Sequence, residues 1–478
     1  MYPHKLFQKP LQLLLANVLF FGLMACTDVQ SSNNEAIVPT DSIAVAPANI
    51  PDSFPVGKII EHVVCKNDAT QSYALYIPAN STTNAIIYFF DPHAVGALPL
   101  KNYQSLADKY HFILVGSNNS KNGNDFQTSE NIWQALLNDT QSRLQFDKNR
   151  MYACGFSGGA KVASYIALHH SEIKGVIAGG AGLPDGTPAN NFNFSYTGIA
   201  GKGDMNMTDL VALNTDLDKT QTKHRLILFN GKHEWSPEAT MNIAFAGLQF
   251  DAMRNNFIAK NDSAINSFTS DSKKRIDAAI NKNDWLQAAN ECTLSINMLD
   301  GLTAVDFFKE KNTSIINNTA YENQLQQQQL LFSVEQNKKA EYSQHFQQMD
   351  LNYWNTTIAD LEQKAKTSTA EGAMYQRLLA YLSLAFYSIS NQLINANQNE
   401  QAEFFVTLYK TVDATNSEAW YFSAVLDARN NNVTTANNDL LKAAANGFND
   451  VQRMQQQPEF QALQSSINFT AIEAKMKR

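Results

Sequence analysis

A serine becomes a useful nucleophile only when its hydroxyl is exposed and a base can take its proton. Gly155-Phe156-Ser157-Gly158-Gly159 meets the first condition. The apolar run Met151 to Cys154 precedes this Gly-x-Ser-x-Gly stretch, and a helix-compatible segment follows from Ala160. That order predicts a strand, a sharp turn and a helix, with Ser157 strained at the carboxyl end of the strand. Gly155, Gly158 and Gly159 permit the close backbone approach that a Cβ would block.

The nine histidines sort by position when a base is sought. His4 belongs to an N-terminal leader, His62 to the first strand region and His345 to a helical second half. His111 and His224 precede strands, at the edge of the sheet away from the serine, and His169 and His170 close the helix after Ser157. His93 and His233 remain, both just beyond strand ends. His233, in Asn230-Gly231-Lys232-His233-Glu234-Trp235-Ser236-Pro237, follows the last strand and is expected to be the base. Asp204 ends the segment Gly198 to Asp204, 47 positions after the serine and 29 before the histidine. It is the expected orienting acid, although spacing leaves Asp209, Asp185 and Glu234 in competition. Such a triad needs no metal and no organic cofactor. The backbone N–H of Gly158 and one from the His93–Ala94 region would bind an oxyanion, with His93 alternatively lining the pocket. Asn118 and Asn119 stand at a neighbouring strand end, where they could contact substrate or simply make a turn.

The elements that must position these residues alternate. Tyr73 to Pro78, Asn84 to Phe90, Phe112 to Gly116, Gly175 to Gly180, Tyr196 to Ala200 and Arg225 to Phe229 read as strands beside the one under Ser157. Helical segments around Tyr103 to Tyr110 and Ser129 to Leu144 lie between them. Strands alternating with helices imply an α/β fold with a doubly wound, mostly parallel sheet, whose ligand sits beyond the carboxyl ends of the strands.

With these residues in place, the chain from about Gly57 to Asn256 resembles an α/β-hydrolase. It is most similar to the secreted branch containing poly(3-hydroxybutyrate) depolymerase-like and feruloyl-esterase-like proteins. Gly155-Phe156-Ser157-Gly158-Gly159, Gly203-Asp204 and the His-x-Trp-x-Pro ending at Pro237 carry the resemblance. It implies the chain order nucleophile, acid, histidine, and the cleavage of a carboxylic ester through an acyl-enzyme. Asp91-Pro92-His93-Ala94 replaces the His-Gly oxyanion segment usual in that family, and no obvious lid lies between Gly180 and Tyr196.

Composition frames the rest. Twelve of the 13 prolines lie at or before Pro237, and only Gly301, Gly372 and Gly447 follow residue 258, so a helical second half is expected. Lys5 and Lys9, the apolar run Leu11 to Leu23 and Leu23-Met24-Ala25-Cys26 resemble a bacterial lipoprotein signal cleaved before a lipid-bearing Cys26. The expected organisation is a signal over 1–25, a flexible tether over 26–55, a hydrolase domain over 56–258 and an all-α domain over 259–478. Helical pairs such as Arg275 to Asn281 with Trp285 to Met298, and Glu418 to Arg429 with Val433 to Ala445, look like degenerate tetratricopeptide repeats without a strict period. Gln324 to Gln329 is a low-complexity stretch, read as an exposed helix or loop. Cys65, Cys154 and Cys292 show neither a disulfide framework nor a zinc pattern, and a Cys65–Cys292 bridge is left open. A net charge of −8 without a basic cluster argues against nucleic acid as a partner. The leading expectation is an esterase anchored by lipid at the bacterial cell envelope, acting on a small-molecule or polymer ester. A peptidase using the same triad, and an inactive shell binding a protein partner through its helices, are the alternatives.

Overall fold

The computed structural model describes residues 53–79 and 84–476. The leader, Cys26 and nearly all of the expected tether lie outside these residues. Eight strands form one sheet: β1 (Ile59–Val64), β2 (Ser72–Tyr76), β3 (Ala85–Phe90), β4 (Phe112–Ser117), β5 (Met151–Phe156), β6 (Ile173–Gly179), β7 (Ser195–Gly201) and β8 (His224–Phe229). Their spatial order is β1-β2-β4-β3-β5-β6-β7-β8. β1 and β2 pair antiparallel, as do β2 and β4, and every later pair is parallel. The doubly wound, mostly parallel α/β architecture expected from the alternating segments is therefore present.

β3 shows why a continuous apolar run makes a central strand. Its successive side chains alternate between faces. Ala85, Ile87 and Phe89 join one core with α1 (Ala97–Tyr110) and α5 (Glu238–Arg254). Ile86, Tyr88 and Phe90 join the other with α2 (Phe126–Arg143) and α3 (Gly158–His169). Both faces are covered, so no polar position interrupts the strand. The chain leaves β3 toward β4 on one side and returns to β5 on the other, so the winding direction reverses between β3 and β5. A sheet of this kind binds ligands at such a reversal.

The first compact unit runs to Gln328. The expected division fell after residue 258, whereas α6 (Asp262–Asn281), α7 (Trp285–Leu299) and α8 (Asp306–Ile316) bury Ile265, Phe268, Ile276, Cys292, Met298 and Phe308 in the same core as α5. Cys65 packs in the core on the opposite face of the sheet, and both thiols are free. Burial pushes them up, Cys65 to about 12 and Cys292 to about 11. α9 (Thr319–His345) carries the chain into the second compact unit, which begins at Gln329. There α10 (Leu351–Lys364), α11 (Ala370–Asn395), α12 (Asn399–Val412), α13 (Ser417–Arg429) and α14 (Val433–Ala445) build a separate core around Trp354, Phe386, Phe405 and Tyr421, followed by three short helices. Among the described residues no helix is long and apolar enough to cross a membrane.

Candidate active site

β5 ends at Phe156, and α3 begins at Gly158. Ser157 between them has φ 53° and ψ −122°, a conformation that L residues adopt only under constraint. The constraint is backbone packing. The Ser157 N–H donates to the Gly179 carbonyl at the end of β6, at 2.8 Å. A Cβ on Gly155 would lie 2.0 Å from the Gly159 carbonyl oxygen, and one on Gly159 would lie 1.9 Å from that of Phe90. These two glycines let the turn close against β3 and place the hydroxyl beyond the sheet.

His233 stands between the serine and the acid. Its Nε2 is 3.0 Å from Ser157 Oγ, and its Nδ1 is 3.0 Å from Asp204 Oδ1. A neutral ring donating from Nδ1 to Asp204 leaves Nε2 as the acceptor for the serine hydroxyl. Asp204 is 1% exposed, and its Oδ1 also accepts the Asn206 N–H at 2.9 Å. The Asn206 amide donates in turn to the Gly180 carbonyl at 2.7 Å, tying the acid's loop to the end of β6. Of the competing acids, Asp185 pairs with Lys161 at 2.7 Å, Glu234 accepts the Lys232 N–H at 3.1 Å, and Asp209 lies in the first turn of α4 (Met207–Leu217). Cys154 lies under the elbow with its thiol raised well above its ordinary range by burial, which keeps it from competing as a thiolate.

The loop after β3 folds around Asp91, a residue outside the sequence-level site. Asp91 is 2% exposed. Its Oδ1 accepts the N–H groups of His93 at 2.9 Å and Val95 at 3.3 Å, and its Oδ2 accepts Trp235 Nε1–H at 2.9 Å. Trp235 thus joins the histidine loop to the loop after β3, and Phe156 packs at a tilt against both the His233 ring at 4.7 Å and Trp235 at 5.5 Å. Tyr103 of α1 holds the same loop by donating to the Ser236 carbonyl at 2.8 Å. The signal for this pairing was Asp91 directly after an apolar strand, where a buried carboxylate needs partners.

The remaining expected positions separate. Ala94 takes φ 60°, and its N–H donates to the Asp91 carbonyl at 3.2 Å. The His93 ring is 72% exposed. Asn118 donates to the Glu61 carbonyl at 3.0 Å and to Ser72 Oγ at 3.3 Å. Asn119 accepts the Ser72 N–H at 2.8 Å and donates to the Thr70 carbonyl at 3.0 Å. Both asparagines fasten the loop after β4 to the β1–β2 edge. The asparagine of that loop brought to the elbow is Asn122, whose Oδ1 lies 2.0 Å from where a Cβ on Gly158 would stand.

No protein-family model and no curated protein matches the chain. Solved structures similar to part of it include an esterase from Pyrobaculum calidifontis, at 10% identity and a TM-score of 0.33, covering 42% of this chain and 85% of that one. An S-formylglutathione hydrolase from Staphylococcus aureus is similar at 9% identity and a TM-score of 0.32, covering 41% and 98%. A ferulic acid esterase is similar at 14% identity and a TM-score of 0.32, covering 41% and 97%.

Proposed function

We propose that the chain is a serine hydrolase that cleaves a carboxylic ester through an acyl-enzyme. The observation carrying this reading is the placement of His233 at 3.0 Å from both Ser157 Oγ and Asp204 Oδ1. Ser157 Oγ bonds to the ester carbonyl carbon while His233 Nε2 takes the hydroxyl proton. The carbonyl π pair moves onto oxygen, next to the Gly158 N–H. When the pair returns, the C–O bond to the leaving group breaks and His233 gives that alkoxide the proton. Water, deprotonated by the same imidazole, then releases the acid. Asp204 holds the ring in the tautomer this exchange needs. The Cys26 reading puts the enzyme at the cell envelope on a lipid anchor, and we assign the helices of the second compact unit to contact with a protein or polymer substrate.

A fluorophosphonate probe tests the chemistry. Labelling of Ser157 in the folded wild type is expected, together with ester turnover that falls by about 10⁴-fold or more in Ser157→Ala. Folded protein that resists labelling would sink the proposal. A panel of matched esters and amides separates esterase from peptidase.

A further inference from the structure

A tetrahedral oxyanion is normally held by two donors, and Gly158 provides one. In the loop after β3, the His93, Ala94 and Val95 N–H groups are all bound to Asp91 and so are not free to be the other. Asn122 is the polar side chain lying against the elbow. A Cβ on Gly158 would meet its Oδ1 at 2.0 Å and its Nδ2 at 3.9 Å. The carboxamide thus fills the space that a side chain following the nucleophile would take. Among the described residues it makes no hydrogen bond, and Asn122 is exposed to solvent. Its backbone, by contrast, is fixed. The Asn122 N–H donates to the Pro92 carbonyl at 2.8 Å, and His93 forms an antiparallel bridge with Lys121. A free amide on a held backbone, facing the first turn after the serine, is a donor ready for use.

We propose that Asn122 supplies the second oxyanion donor through its side-chain N–H; this inference rests on the hydrolase reading. Half a turn about the terminal torsion exchanges the amide oxygen and nitrogen in place, a torsion that is broad and two-fold. Two donors sharing one acceptor, each about 2.9 Å from it, can stand up to about 5–6 Å apart, so Asn122 and Gly158 can serve a single oxygen. As the Ser157 Oγ–carbon bond forms, the charge arriving on the carbonyl oxygen accepts from both donors. It leaves them when the pair returns and the leaving-group bond breaks. Glycine at 158 acquires a second reason: any side chain there would displace the amide.

The test uses the full chain with p-nitrophenyl acetate, comparing wild type, Asn122→Ala and Asn122→Asp. The aspartate variant keeps the shape of the side chain and removes its donors, so it decides the matter if the alanine variant folds poorly. In both variants kcat is expected to fall by about 10²–10³-fold, with KM within a few-fold. Affinity for a trifluoromethyl ketone, which binds as a tetrahedral adduct, is expected to fall in parallel. Unchanged kcat in both variants, or a rise in KM alone, overturns the role of Asn122 while Ser157 labelling leaves the hydrolase reading intact. Wild-type protein that neither labels nor turns over ester overturns both.

Discussion

His233 reaches both its partners because residues that take no part in proton transfer hold its loop. The indole of Trp235, two residues on, donates to the buried carboxylate of Asp91, and the ring of Phe156 lies between it and the imidazole. Trp235→Phe keeps most of the packing but leaves Asp91 Oδ2 without its donor. A buried acceptor left unpaired costs about 1–3 kcal/mol. The urea midpoint is therefore expected to fall at constant slope, with reduced ester turnover and persistent labelling of Ser157. An unchanged midpoint would show that Asp91 does not depend on the indole.

At the scale of elements, helix starts explain residues that composition alone made look unimportant. The first N–H groups of a helix have no intrahelical acceptor. At α7 the Trp285 and Leu286 N–H groups donate to Gln324 Oε1 at 2.8 and 3.2 Å, and the Gln287 N–H donates to Asp284 Oδ1 at 3.1 Å. The Gln324 amide donates back to the Asn283 carbonyl at 2.7 Å. The glutamine run thus begins with a residue that caps another helix from a distance of 38 positions. Gln324→Leu removes that cap and is expected to destabilise the protein by about 1 kcal/mol, the usual cost of a lost N-cap, as read from denaturant unfolding. The neighbouring exposed Gln326 and Gln327 are the controls, and their replacement by alanine should change little.

Across the whole molecule, the two compact units have separate hydrophobic cores, and a buried ion pair lies inside the second. Glu335 is fully buried and meets Arg377 at 2.7 Å and Lys339 at 2.9 Å. Removing the acid takes its carboxylate away from Arg377, which is 3% exposed, and breaking a buried pair in this way costs about 3–5 kcal/mol. Glu335→Ala is expected to lower the unfolding midpoint of residues 329–476, followed by Trp354 fluorescence, while fluorophosphonate labelling of Ser157 persists. Loss of labelling would show that the sheet depends on that pair.

Much of this was legible in the chain. Apolar runs fully buried on both faces announce themselves by composition, and the Gly-x-Ser-x-Gly stretch carries its own strand and helix, so the sheet and the elbow were readable locally. The order of Ser157, Asp204 and His233 was also readable, since each follows a strand. Spacing could not choose Asp204 over Asp185, Asp209 or Glu234, because the choice depends on which loop folds back over the end of β6. Nor could it choose Asn122 over Asn118 and Asn119: three amides within five residues of one loop look alike until the β1–β2 edge engages two of them. Likewise the core shared by α5 through α8 depends on which face of the sheet remains uncovered. Local pattern determined the elements and the candidate chemistry; long-range packing decided which polar side chains bind structure and which are left against the turn after the serine.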